Sequence, residues 1–282
     1  MTLYVVATPI GNLSDMTLRA VETLRAVDHV VAEDTRRARG LLGHLGIASK
    51  SLVCVEAHAS SREIERVVDW LTAGQSVALL TDAGMPSVSD PGADLVNAAV
   101  RAGVRVVPIP GPSAVTAAVG ASGMVRGGFR FFGFLPRAGA ARAEALSTVV
   151  ATPEPVVLFE SPQRMAETLN ELALLCPLRA LCVGREMTKM HEEFVRGTVE
   201  EVAREFLHRE WIGEVTMVLA ADEGASAAGP VAEEDIDARV REAVDRGEAA
   251  KTAAIRIAAW SGRRRKEIYE KVVRETEERK RR

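Results

Sequence analysis

Along the first 120 residues, short β-branched runs alternate with stripes of apolar residues at helical spacing. Residues 3–7 form a Val-rich run that reads as a strand. Residues 16–27 set Leu18, Val21 and Leu24 on one helical face, with Ser14 or Asp15 as the cap. Residues 29–32 and 52–55 are further short strands. Residues 61–73 read as a helix closed by Gly74, and residues 77–80 as a strand. Asp90-Pro91 then supplies a cap and first-turn pair for a helix that runs to Ala102 and is closed by Gly103. A strand over 104–107 and a helix starting at Pro112 complete the series. This alternation predicts an α/β fold with a parallel, doubly wound sheet.

A Gly-rich passage over 120–128 ends that unit, and the second half is again α/β. Residues 129–134, 156–159, 181–183 and 215–220 read as strands. Ser161-Pro162 caps a helix running to Leu175, and Thr198-Val-Glu-Glu201 is a capping box that opens another. Residues 222–230 (DEGASAAGP) have the composition of a linker. Beyond them, a helix around 251–260, a Ser261-Gly262 turn and a helix from Arg264 outline a helix-turn-helix. The expected organisation is an N-terminal α/β domain over 1–120, a second α/β domain over 121–222, a linker over 223–231 and a helical unit over 232–282.

With 47% apolar and 27% charged residues, the chain has the balance of a globular protein. Aromatics at 4% argue against a surface that reads single-stranded bases mainly by stacking. No apolar run is long enough to cross a membrane. The first residues have no basic region and lead straight into a strand, so no signal peptide is expected. Cys54, Cys176 and Cys182 are odd in number and apolar in setting, as core thiols in a reducing compartment would be. Together these features predict a cytoplasmic protein. The net charge of −3 is uneven: ten Lys/Arg against five Asp/Glu from Arg263 to Arg282 leave the tail at +5 and the remainder at −8. Such a tail either meets a polyanion or is a solvated helix laced with Glu–Arg pairs.

No G-x-G-x-x-G follows the first strand, no G-x-x-x-x-G-K-[ST] occurs, and the five His are scattered without metal-ligand spacing. No metal is expected. The unusual residues gather instead where predicted strands end: TPIGN (8–12), EDTR (33–36), DAGMPSVSDPG (82–92) and PIPGPS (108–113). In open parallel sheets, ligands bind outside the carboxyl ends of the strands. Any one of these loops could be an ordinary tight turn; four together point to a small-molecule site approached through backbone.

TPIGNLSDMTLRA, AEDTR, TDAGMPSVSDPG and PGPSA closely resemble the tetrapyrrole-methylase superfamily, and within it the ribosomal RNA small subunit methyltransferase I family. The resemblance continues through GFLPR (133–137), LFESPQR (158–164), GREMTK (184–189), GEVTMVL (213–219) and the C-terminal AAKTAAIRIAAWSGRRRKEIY (249–269). It implies a Rossmann-like N-terminal domain and a second α/β domain, with S-adenosylmethionine between them in a homodimer. The implied activity is methylation of the ribose 2′-oxygen of a cytidine in 16S rRNA of the small ribosomal subunit. Carried over by position, the cofactor contacts are Pro9, Ile10, Asp82, Ala83, Gly84, Met85, Ser87, Val88, Ser113, Ala114, Phe159, Glu160 and Met187. This chain departs from the family pattern at 55–59, where only His58 remains of a denser His/Asn cluster, and at Met85, which replaces Thr.

Methyl transfer to a ribose hydroxyl needs in-line alignment and a way to remove the proton. Candidates are Glu33, Asp34, Asp82, Glu186 and Lys189, with Lys189, Asp34 and Glu33 the ones assigned to catalysis. Lys189 would lower the hydroxyl pKa. Bland roles compete: an Asx turn for Asp82, a helix cap for Asp34, an ion pair for Glu33 and Arg36, and solvent for Arg36, Arg37 and Arg39. Two other readings of the chain are C-methylation of a tetrapyrrole and a non-catalytic RNA-binding assembly factor.

Overall fold

A computed structural model describes residues 1–47, 50–55, 61–206, 209, 212–222, 233–261, 263 and 265–281. His58, the linker and Gly262 lie outside them. The chain divides into two compact units, Met1–Ala117 with Met187–His191, and Ala118–Glu186 with Glu192–Arg282.

The first unit is a five-stranded parallel sheet in the order β3-β2-β4-β1-β5. Its strands are β1 (Thr2–Val6), β2 (His29–Ala32), β3 (Ser51–Cys54), β4 (Ser76–Leu80) and β5 (Arg105–Ile109). The helices α1 (Leu18–Ala26), α2 (Thr35–His44), α3 (Ser61–Thr72) and α4 (Ala93–Arg101) connect them, and α5 (Ala114–Ser122) follows. Alternate residues of β4 face opposite layers, as a pleated strand requires. Ala78 and Leu80 pack with Ala20 and Leu24 of α1 and Ala38 and Leu42 of α2. Val77 and Leu79 pack with Val67 and Leu71 of α3 and Leu95 and Ala99 of α4. Burial on both faces explains the continuous apolar runs. Connections leaving β1 and β4 run to opposite sides of the sheet, so the topological switch point lies between these neighbours.

Two predicted helix starts are corrected. Thr17, not Ser14 or Asp15, caps α1 by accepting from Ala20 N–H at 3.2 Å. Residues 13–15 form a separate 3-10 turn whose cap, Asn12, accepts from Ser14 N–H. Helix α4 begins after Gly92, whose φ of 130° no L side chain adopts comfortably, and it has no side-chain cap. A Cβ on Gly92 would also come 2.8 Å from Leu79 Cδ2 and 2.9 Å from Ser87 Oγ. The chain reverses so tightly there that Asp90 falls outside the helix instead of capping it.

The second unit carries a mixed sheet in the order β6-β7-β10-β8-β9. The strands are β6 (Arg130–Phe134), β7 (Val156–Glu160), β8 (Ala180–Arg185), β9 (Glu193–Thr198) and β10 (Val215–Leu219). Only the β6–β7 pair is parallel. Helices α6 (Gly139–Ala151), α7 (Met165–Leu175) and α8 (Val199–Phe206) cover one face with Leu146, Leu172, Val202 and Phe206 over Leu158, Val183 and Met217. The capping box at α8 is present: Thr198 Oγ1 accepts from Glu201 N–H, and Glu201 accepts from Thr198 N–H at 2.8 Å. Cys182 is buried, Cys54 and Cys176 half-buried, and none of the three is in a disulfide.

Helices α9 (Glu233–Asp245), α10 (Ala250–Ser261) and α11 (Arg265–Arg281) close the second unit around Ile236, Val240, Ile257, Ile268 and Val272. Three helices stand where two were expected. Helix α9 was missed because eight of its thirteen residues are charged and only Ile236, Val240 and Ala243 are buried. Among the described residues, no helix is long and apolar enough to cross a membrane.

Candidate functional site

At the switch point, the loops leaving β1 and β4 are tied together by backbone. Thr8 N–H donates to Gly84 O at 2.8 Å, Gly84 N–H returns to Thr8 O at 3.0 Å, and Thr8 Oγ1 donates to Thr81 O at 3.1 Å. Gly84 sits at φ 84°, and a Cβ there would lie 3.5 Å from Ile10 Cγ2 and 3.9 Å from Pro112 O. The loops after β1, β4 and β5 therefore meet around one glycine. Pro9 and Ile10 are buried, Ala83 and Met85 half-buried, and Val88 is exposed. Ser87 takes a left-handed backbone, φ 67°. Ser113 precedes α5, and its carbonyl accepts from Ala117 N–H. A groove of about 260 Å³ beside β1 and β4 is lined by Thr8, Pro9, Leu13, Arg37, Leu41 and Asp82.

Carboxylates gather around Thr81, the residue after β4. Thr81 Oγ1 donates to Glu33 at 3.4 Å and also bonds to Asp90. Burial, then the charges of Asp82 and Asp90, push the Glu33 carboxyl above its ordinary value. Burial also raises Asp90. Asp82 pairs with Arg37 at 3.3 Å. Asp34 has a different setting. It caps α2, accepting from Arg36 N–H at 2.7 Å and from the Arg36 guanidinium at 3.0 Å, and these bonds bring its pKa down to about 2. Among the described residues, no group of three His, Cys, Asp or Glu could hold a metal ion.

Residues of the GREMTK motif join this first unit although β8 and β9 flank them in sequence. Met187 is buried, and Lys189 lies on Gly11 of the β1 loop: a Cβ on Gly11 would come 2.5 Å from Lys189 Cγ. Glu186 belongs to the second unit. Its carboxylate accepts from Glu214 N–H at 2.9 Å, and a Cβ on Gly213 would collide with it at 2.2 Å from Cδ.

Residues 2–203 match the model of the Tetrapyrrole (Corrin/Porphyrin) Methylases. Ribosomal RNA small subunit methyltransferase I of Halalkalibacterium halodurans is 44% identical over 216 residues, 77% of this chain and 72% of the relative. The protein of that name from Thermotoga maritima is 43% identical over 221 residues, 78% of this chain and 99% of the relative. The chain belongs to the ribosomal RNA small subunit methyltransferase I family. The solved uroporphyrin-III C-methyltransferase of Thermus thermophilus, complexed with S-adenosylhomocysteine, shares the fold. It has a TM-score of 0.54 at 21% identity, covering 77% of this chain and 97% of that one.

In this family member, the second unit holds the remaining expected cofactor residues, Phe159 and Glu160. Phe159 packs edge-on against Phe131 with centroids 5.0 Å apart, and lies 5.5 Å from the exposed Phe134. The Glu160 carboxylate is buried and fully engaged: it accepts from Ser161 N–H at 2.7 Å and Thr168 Oγ1 at 2.7 Å, and pairs with Arg164 at 2.5 Å. Arg142, also buried, adds Thr168, Glu171 and Pro136 O to the network, while Arg164 reaches Leu135 O. The GFLPR and ESPQR motifs are thus locked together by hydrogen bonds from Arg142 and Arg164 to the Pro136 and Leu135 carbonyls, and sequence reasoning missed Arg142 because nothing local marks a buried arginine in a small-residue helix. It also missed Thr81 and Asp90 as partners of Glu33. Acidic residues in two strand-end loops, Glu33 after β2 and Asp82 and Asp90 after β4, were the signal that could have found them.

The residues of the first unit fit S-adenosylmethionine. Gly84, with no side chain, lets the β1, β4 and β5 loops converge among apolar walls at Ile10 and Pro112, its own N–H and C=O being paired with Thr8. An adenosine joined through a sulfonium to an amino-acid tail carries no phosphate, so such a surface suits it without the cationic cradle that a polyphosphate needs.

Proposed function

We propose that this S-adenosylmethionine-dependent methyltransferase modifies the ribose 2′-oxygen of a cytidine in small-subunit ribosomal RNA, acting as a cytoplasmic homodimer. The observation that carries the reading is the convergence of the β1, β4 and β5 loops on Gly84, in a chain 43–44% identical to ribosomal RNA small subunit methyltransferases I. Pro9, Ile10, Asp82, Ala83, Gly84, Met85, Ser87, Val88, Ser113 and Ala114 hold the cofactor, largely by main chain, with Phe159, Glu160 and Met187 completing the set. Since the Glu160 carboxylate is spent inside its own unit, its contribution is through backbone.

When bound, S-adenosylmethionine supplies an electrophilic methyl with a neutral thioether as leaving group. The chain's own work is alignment and proton removal. Alignment alone can supply several kcal/mol, about 7–11 at best. Lys189, on the β1 loop, provides a cation that lowers the hydroxyl pKa, and Glu33, raised by burial, is suited to accept the proton. Asp34 is the weaker base, because the N–H groups it accepts hold it at about 2. Its cap fixes the start of α2 beside the groove.

Purified small subunits incubated with the protein and methyl-labelled cofactor test this reading. Label at a cytidine 2′-oxygen is expected. Label on a tetrapyrrole but not on RNA, or tight RNA binding without transfer, would replace it with one of the two other readings.

A further inference from the structure

Gly11 is the one glycine of the β1 loop, and its φ lies outside the left-handed region, so the backbone does not demand glycine there. Space does. A Cβ at Gly11 would stand 2.5 Å from Lys189 Cγ, 3.0 Å from Lys189 Cε and 2.8 Å from Thr188 Oγ1. Real Cβ atoms do not approach other atoms that closely, so any side chain at position 11 displaces the lysine stem. Lys189 is half-buried, its chain laid across the glycine, and its ammonium is one bond beyond Cε.

The approach to Lys189 is fixed from the other side as well. Thr188 takes φ 68° and Glu186 φ 50°, left-handed values that a β-branched residue in particular avoids. Such conformations persist where the surroundings over-determine them, and they cluster at functional sites. The surroundings are visible. Met187, between the two, is buried, and Glu186 is clamped to the start of β10 by two bonds, its N–H to Glu214 O and its carboxylate from Glu214 N–H, both 2.9 Å.

We infer that Gly11 is a positioning residue: together with the left-handed Thr188 it provides the bed on which Lys189 is held, so that the ammonium stands at the β1 loop where the acceptor hydroxyl is deprotonated. The inference rests on the proposed role of Lys189. The glycine of TPIGN is therefore required by a lysine 178 positions later in the chain rather than by the turn itself.

Three variants separate the two claims. Lys189→Ala is expected to lower kcat by about 10²-fold or more, with S-adenosylhomocysteine affinity kept within a few-fold; wild-type kcat would remove Lys189 from the reaction and with it the reading beneath this inference. Gly11→Ala is expected to lower kcat by about 10²-fold, the cost of a misplacement near 1 Å, with KM for the cofactor nearly unchanged. In the Lys189→Ala background, Gly11→Ala is expected to cost almost nothing further, because the displaced group is gone. Full additivity of the two losses, or a matching loss of S-adenosylhomocysteine affinity in Gly11→Ala, overturns the positioning role. Melting temperatures give an independent readout should Gly11→Ala fold poorly. Truncating Lys189 empties most of the space, so the double variant is expected to melt above Gly11→Ala; a double variant that melts no higher also overturns the inference.

Discussion

At the scale of single residues, charge and space around the switch point decide behaviour. Glu33 has its carboxyl raised above the ordinary 4.5, chiefly by burial and then by Asp82 and Asp90. Between the ordinary value and the raised one, the folded chain holds a proton that the unfolded chain has released. Stability from this group is therefore complete below the ordinary value and lost as pH rises through the raised one. At neutral pH the charged cluster opposes folding. Glu33→Gln is accordingly expected to melt higher than the parent at pH 7, with the gain shrinking at pH 4, while methyl transfer slows; equal shifts at both pH values would show that the carboxyl is not perturbed. Gly84→Val meets both a left-handed backbone and Ile10 Cγ2 at 3.5 Å. It is expected to abolish S-adenosylhomocysteine binding in calorimetry with the circular dichroism spectrum retained. The loops themselves were legible in the sequence because Gly and Pro punctuate a chain locally. Lys189 on Gly11 was not, since it depends on which distant segment arrives, and Asp90 by Thr81 was not, since it depends on how the β4 loop folds back on itself.

At the scale of elements, legibility followed amphipathicity. Strands β1, β2 and β4 and helices α3, α4 and α8 carry strong local patterns and lie within a residue or two of expectation. Helix α6 was passed over because Arg142 interrupts its buried face of Leu146, Val149 and Val150, so the apolar stripe is broken by a residue whose burial only the Glu160–Glu171 network explains. The end of α6 depends on a second hidden arginine. Arg179 donates to five carbonyls, those of Val149, Val150, Thr152, Glu154 and Ala220, at 2.7 to 3.4 Å. It adds donors to the last turn of α6, where Thr152 also bonds Thr148 O and Val149 O, and ties that turn to the end of β10. Arg179→Met leaves buried carbonyls short of donors and is expected to cost about 1–3 kcal/mol for each one left unsatisfied, read as a lower midpoint in denaturant unfolding. Arg179→Lys recovers only part of this, because an ammonium has three donors where the guanidinium fork has five. Full recovery by lysine would mean that charge, not the fork, is what the site uses.

At the scale of the whole molecule, the basic tail is the open element. The sequence left two readings, phosphate contact or an ion-paired helix, and the structure divides the charges between them. Lys271 pairs with Glu233 and Asp237, Arg263 with Glu233, and Arg279 with Asp245, so acidic α9 absorbs part of the +5 that the tail alone suggested. Arg265, Lys266 and Arg274 are exposed and make no ion pair among the described residues. The two classes of cation in the tail have separable effects. Lys271→Gln with Arg279→Gln is expected to lower the melting temperature by loosening α9 from α11. The triple exchange Arg265→Gln, Lys266→Gln and Arg274→Gln is expected to leave melting and cofactor affinity unchanged while weakening binding to small subunits. Each phosphate contact contributes about 0.7 to the slope of log affinity against log salt on single strands, so loss of all three flattens it by about 2. An unchanged slope in the triple variant assigns these residues to solvent, and the tail to the stability of the second unit alone.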